Sequence, residues 1–135
     1  NQNKSPAFRL KPIKMYREEI KPFNKQYLKF KVQVQTAHVI HPPLVGSYAG
    51  QMEIPPHVSD DQKIYTVTAI APHAFAACVR LTHVTVPETV RTIHRYAFLG
   101  CYHLSEVVVL NPGCHIDDRA FTGCRPDLKI IRPQS

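Results

Sequence analysis

The stretch IAPHAFAACVRL (residues 70–81) recurs as IHRYAFLGCYHL (93–104) and again as IDDRAFTGCRPDL (116–128). Ile70, Ile93 and Ile116 stand 23 residues apart, as do Ala74, Ala97 and Ala120, Phe75, Phe98 and Phe121, and Cys78, Cys101 and Cys124. Four columns at one spacing mark an internal repeat, and such repeats bury their apolar side only when stacked. Leu81 and Leu104 extend the pattern. Leu128 arrives one residue late, which places an insertion near Pro126.

Between these stretches the pattern changes to that of a strand. LTHVTV and LSEVVV put Leu, Val and Val at matching positions, with the two valines alternating with outward residues. Pro87 closes the first strand because it has no N–H for a ladder. Val90 and Ile93 mark a second inward stretch. The Ala-Phe pairs then form tight or single-turn helical corners, and Gly100 and Gly123 suit the bends that follow. Stacking puts Phe on Phe, Cys on Cys and Leu on Leu. Each buried Phe contributes roughly 1.5–3 kcal/mol.

The pattern I-x-x-x-A-F-x-G-C-x-x-L-x-x-V-x-V-P-x-x-V resembles the BspA-like, or Treponema pallidum-type, leucine-rich repeats. The resemblance runs from Gly50 to about Pro133, with a lead-in at MEIPPHV (52–58) and YTVTAI (65–70). There Ile54-Pro55 matches Val86-Pro87, followed by a longer loop holding Asp60 and Asp61. The position that carries asparagine in ordinary leucine-rich repeats holds Thr89 and Pro112. The resemblance therefore implies a mainly β fold: a short, flattish right-handed solenoid of 23-residue repeats, with short strands and helical-turn corners. It also implies a secreted or bacterial cell-surface protein that contacts other proteins, host matrix or neighbouring cells.

Length and charge divide the chain. Its 135 residues make one domain of ordinary apolar content, 44%. No stretch approaches 18 consecutive apolar residues, so no helical membrane span is expected. The chain starts at Asn1 without a charged-then-apolar leader, and is expected to be processed or trimmed. Of the net charge of +7, the first 35 residues carry all: seven Lys and two Arg against Glu18 and Glu19. We therefore assign residues 1–26 as a basic leader or linker, 27–69 as an N-terminal cap with a degenerate first repeat, and 70–135 as three repeats with the C-terminal end.

YLKFKVQVQ places Tyr27, Phe30, Val32 and Val34 at alternating positions, so residues 27–40 suit a strand or hairpin over the open N-terminal edge. Residues 1–24 admit three readings: a linker, an extra strand pair (exchanged between subunits or not), or a polyanion-binding arm. Glu18 and Glu19 interrupt the basic residues there, which weakens a nucleic-acid reading. At the far end, Arg132 and Pro133 read as edge protection.

The cysteine column reads as buried free thiols, with a Cys101–Cys124 disulfide as the alternative, since stacked turns lie about 4.8 Å apart. Cys114, outside the column, is expected to be partly exposed. Neither the cysteines nor His38 and His41 have zinc-ligand spacing. No nucleophile elbow, phosphate loop or dinucleotide motif occurs. No catalytic residue, metal ligand or cofactor-binding residue is assigned.

The period does nominate a face. If Val84 and Val86 point inward, His83 and Thr85 point outward, and one repeat on so do Glu106 and Val108. After the insertion, Lys129 and Ile131 take the same places. Gln51 and Glu53 precede them. The candidate partner-binding face is thus His83, Thr85, Glu106, Val108, Lys129 and Ile131, beside the simpler reading of plain sheet surface. Two functions follow. One is a recognition or adhesion module. The other is self-assembly into homo-oligomers, or polyanion (glycan) binding through the basic leader. An enzyme is not expected, because a packed solenoid this small has little room for a deep polar pocket.

Overall fold

The computed structural model of the chain describes residues 9–23, 26–60 and 63–133. Residues 1–8 of the basic leader and Asp61 in the long loop lie outside the described residues.

Ten strands follow in order: β1 (Arg9–Phe23), β2 (Gln26–Ile40), β3 (Gly50–Glu53), β4 (His57–Asp60), β5 (Lys63–Ile70), β6 (Leu81–Val86), β7 (Thr92–Ile93), β8 (Glu106–Val109), β9 (His115–Ile116) and β10 (Lys129–Ile131). They form two sheets. One runs β1-β2-β5-β7-β9, with β4 also paired to β5, and the other runs β10-β8-β6-β3. From β5 onward the chain passes back and forth between the sheets, so each repeat supplies one short strand to each. The pairs in the repeats are parallel and join residues 23 apart, such as His83 with Glu106 and Thr92 with His115.

The core lies between the sheets. Its fully buried side chains include Phe75, Phe98, Leu81, Leu104, Ile70, Ile93, Val84 and Val86. Phe75 stacks on Phe98 with ring centroids 4.8 Å apart, and Phe98 on Phe121 at 5.0 Å, both nearly parallel. This is offset aromatic stacking repeated along an axis. Strands β6 and β8 show the alternation that a half-buried sheet requires, with Val84, Val86, Val107 and Val109 inside.

The corners are not helical, which corrects the expectation of helical turns. No α-helix occurs among the described residues. Instead the corners are runs of i→i+3 turns, such as Ala74 N–H to the Ala71 carbonyl (3.2 Å) and Cys78 N–H to the Phe75 carbonyl (3.2 Å). The reason is backbone sign. His73 and Tyr96 sit at φ 64° and 59°, and Ala77, Gly100 and Gly123 at 61°, 71° and 78°. A left-handed residue twice in each of the first two corners, and once in the third at Gly123, cannot continue a right-handed helix. The corners also bond to the next turn: Phe75 N–H to the Ala97 carbonyl (2.7 Å) and Phe98 N–H to the Ala120 carbonyl (2.8 Å).

The leader contains a strand. β1 pairs antiparallel with β2 along its whole length, from Arg9 with Ile40 to Phe23 with Gln26, so the hairpin crosses the assigned boundary at residue 26. Only Thr36–Val39 of β2 pair with β5, in parallel and across a register shift at Ala37/His38. Among the described residues, the rest of β2 pairs with β1 alone. The long loop after Pro55 is also a hairpin, β4 folding back antiparallel on β5.

Candidate functional site

The register of the β3-β6-β8-β10 sheet aligns the nominated residues. Gln51 pairs with His83, His83 with Glu106, and Glu106 with Lys129. Beside them Glu53 pairs with Thr85, Thr85 with Val108, and Val108 with Ile131. His83, Thr85, Glu106 and Val108 are half-buried, while Lys129 and Ile131 are exposed. All six nominated residues therefore share one outer face. One row is polar, with a carboxylate between an imidazole and an ammonium group. The other grows apolar toward β10. Cross-strand opposite charges of this kind contribute roughly 0.2–1 kcal/mol each.

The two ends of this face differ in chemistry. Where the strands begin, Val79, Arg80, Thr82, His83, His103, Ser105 and Arg125 line an open groove of about 520 Å³. Where they end, Glu53, Thr85, Glu88 and Leu110 line a hollow of about 320 Å³ together with Ile54, Pro55, Pro56 and Pro87. The first carries no carboxylate and the second no cation.

Within the groove, His103 Nδ1 lies 2.8 Å from the Val79 carbonyl and so donates to it. His83 Nδ1 lies 3.0 Å from Thr82 Oγ1, and its Nε2 is 3.4 Å from Ser105 Oγ. Ser105 Oγ donates to the Thr82 carbonyl at 3.1 Å. A serine activated by histidine directs its proton at the imidazole. Here the proton is committed to a carbonyl, so the pair is arranged as a hydrogen-bond network rather than a nucleophile and base.

The cysteine column is made of free thiols. Cys101 Sγ donates to the Phe75 carbonyl and Cys124 Sγ to the Phe98 carbonyl, each at 3.1 Å. The parallel stacking points each thiol at the backbone of the preceding turn. The hydrogen bond with Cys124, then burial, drive the Cys101 thiol far above its ordinary pKa, so it stays protonated. Cys114 is buried rather than partly exposed, because the turn from Asn111 folds it into the core cluster. Among the described residues, no group of three or more His, Cys, Asp or Glu is placed to hold a metal ion. His38 faces His94, with ring centroids 6.4 Å apart, rather than His41.

Two features escaped the sequence reading. Tyr48 continues the Phe stack, its ring 4.9 Å from Phe75. Its hydroxyl accepts from Arg9 N–H (2.8 Å) and donates to the Ile40 carbonyl (3.0 Å), tying the hairpin to the core. Tyr48 lies outside the 23-residue period and had no signal. The pair Arg80 and His103 did have one, since the two are 23 apart and occupy one column.

Comparison with known proteins agrees with this architecture. A family model described as the BspA type leucine-rich repeat region matches residues 63–135. Among solved structures, a leucine-rich cell surface protein from Faecalibacterium prausnitzii A2-165 is 25% identical, with a TM-score of 0.56 over 89% of this chain and 33% of its own. A leucine-rich repeat protein from Bacteroides ovatus ATCC 8483 is 20% identical, with a TM-score of 0.49 over 89% of this chain and 36% of its own. The chain thus spans about a third of the length of these structures. Among curated proteins no relative matches. No helix among the described residues is long and apolar enough to cross a membrane. The match covers more than half of the sequence, and with it the stacked Phe, Cys and Leu columns: the chain belongs to the BspA-type leucine-rich repeat family.

Proposed function

We propose that this chain is a non-enzymatic recognition module, a short right-handed solenoid of 23-residue repeats that acts at a bacterial cell surface or after secretion. It binds a protein or host-matrix partner on the outer face of the β3-β6-β8-β10 sheet. The observation that carries this reading is the paired rows: polar Gln51–His83–Glu106–Lys129 beside Glu53–Thr85–Val108–Ile131. Exposed apolar residues rimmed by charge mark contact sites, and repeat proteins present extended faces of this kind. The description of the Faecalibacterium structure as a cell surface protein supports the location.

The experiment is binding of the full chain to immobilised host-matrix proteins, compared with a Thr85→Lys/Val108→Lys variant of unchanged melting temperature. A loss of about tenfold or more in affinity, roughly 1.4 kcal/mol, is expected. Equal binding by the variant rejects the face.

A second reading is self-assembly. It rests on the exposure of Ile130 (42%) and Ile131 (41%) on β10, which pairs only with β8 among the described residues. Unpaired strand edges template pairing with another chain. Light-scattering mass of the full chain across a salt series separates the two readings. A salt-resistant dimer that Ile131→Lys disperses favours assembly, and a monomer that binds matrix favours recognition.

A further inference from the structure

We infer that the groove at the start of β6, β8 and β10 is a binding site for an acidic saccharide, a glycan whose sugars carry carboxylate or sulfate groups. The site shares His83 with the polar row of the sheet face and is distinct from the row that ends in Ile131 and from the basic leader.

The argument starts with the repeat. Arg80 and His103 occupy one column on successive turns; on the next turn Pro126 stands in that column, and Arg125, in the column of Val79 and Tyr102, lines the same groove. Turns stack about 4.8 Å apart, which sets Arg80 and His103 side by side on neighbouring turns, and Arg125 enters the same lining from the turn after. Arg125 is held bidentate by Asp127, both bonds 2.9 Å, which fixes its position and offsets its charge. Arg80 makes no ion pair among the described residues and is exposed. The nearest carboxylates, Glu106 in register with His83 and Asp127 on Arg125, do not line the groove.

The remaining lining suits a sugar. The exposed His103 ring and the Thr82 hydroxyl can exchange hydrogen bonds with sugar hydroxyls, the Ser105 oxygen can accept one, and Val79, 39% exposed, offers an apolar patch for a ring face. The volume of about 520 Å³ lies within the range of small-ligand sites. Two competitors fit less well. An extended peptide gains affinity by adding to a sheet edge, but β6 and β8 are each paired on both sides and no residue of the edge strand β10 lines the groove. A single-stranded nucleic acid needs aromatic stacking platforms, and no Phe, Tyr or Trp lines the groove.

The test is calorimetric titration of the full chain at low salt with four probes: a sulfated heparin hexasaccharide, a galacturonic acid hexamer, a neutral dextran oligomer and a polyglutamate peptide. The variants are Arg80→Gln/His103→Gln in the groove and Lys11→Gln/Lys14→Gln in the leader. We expect binding of at least one acidic saccharide but not dextran, an affinity about tenfold lower in the groove variant with unchanged melting temperature, and weakening with salt. The heparin fragment carries uronate carboxylates as well as sulfates, so its binding more tightly than the uronate hexamer assigns sulfate as the group recognised, and equal or weaker binding assigns carboxylate. The proposal is overturned if no acidic saccharide binds, if dextran or polyglutamate binds as tightly, or if only the leader variant loses affinity. Should the groove variant prove less stable, Arg80→Gln alone provides the same reading, because that side chain is exposed and unpaired among the described residues.

Discussion

The two ends of the repeat stack meet the same problem differently. At the N-terminal end Tyr48 covers the Phe75 ring, Val39 and Ala37 of β2 are buried, and the hairpin is bonded to β5. At the C-terminal end Phe121, Cys124 and Leu128 are only partly buried, and Ile130 and Ile131 are exposed. The Phe, Cys and Leu columns thus pass from full burial to partial burial within one turn. Burial in a repeat protein belongs to the neighbour, not to the residue. One end has a neighbour of unrelated sequence, and the other has none among the described residues.

The largest test of this contrast is in the Phe column. Phe98→Ala should cost ~3–5 kcal/mol, as large core truncations do, whereas Phe121→Ala should cost about half as much or less. Urea unfolding of both variants checks it, and equal losses would mean the C-terminal end is as well covered as the middle. Next comes the cap. Tyr48→Phe keeps the ring but strips the hydroxyl from Arg9 N–H and the Ile40 carbonyl, and should cost ~1–3 kcal/mol. Hydrogen exchange should show the added opening at the β2–β5 seam before the β6–β8 pairs.

A third test concerns the corners. Gly100 and Gly123 hold the left-handed position that Ala77 holds in the first copy. Ala77→Gly should therefore stabilise by about 1 kcal/mol, and Gly100→Ala should destabilise by a similar amount, both read from thermal unfolding. If Ala77→Gly destabilises, the corner is fixed by its side chain and not by backbone sign.

The smallest expected effect is on pH. Burial, then the neighbouring His94 and Lys11, lower the His38 pKa below 6.5. The folded seam therefore favours the neutral ring, and the unfolded chain takes up its proton first on acidification. Stability from this group is present above pH 6.5 and is lost as pH falls through the lower folded value. Melting temperature should fall between pH 7.5 and 5, and His38→Gln should flatten that slope. An unchanged slope assigns the acid sensitivity elsewhere.

Much of this was legible beforehand because the period converts sequence into contacts. Once His83 and Glu106 are 23 apart, the parallel register follows, and so does their shared face. The non-helical corners were not legible: His73, Ala77 and Tyr96 take a conformation that their residue types disfavour, and only the packed turns impose it. Cys114 misled because it lies outside the column, and its burial comes from a turn, not from spacing.

From sequence alone came the repeat, the Phe, Cys and Leu columns, the outward rows and the family, since all are consequences of spacing along the chain. The tertiary structure alone decided the Tyr48 cap, the pairing of the leader strand with β2, and the arrival of Arg125, which lies outside the Arg80–His103 column, at their groove. Those depend on contacts between segments that share no period, and such contacts exist only after the chain has closed on itself.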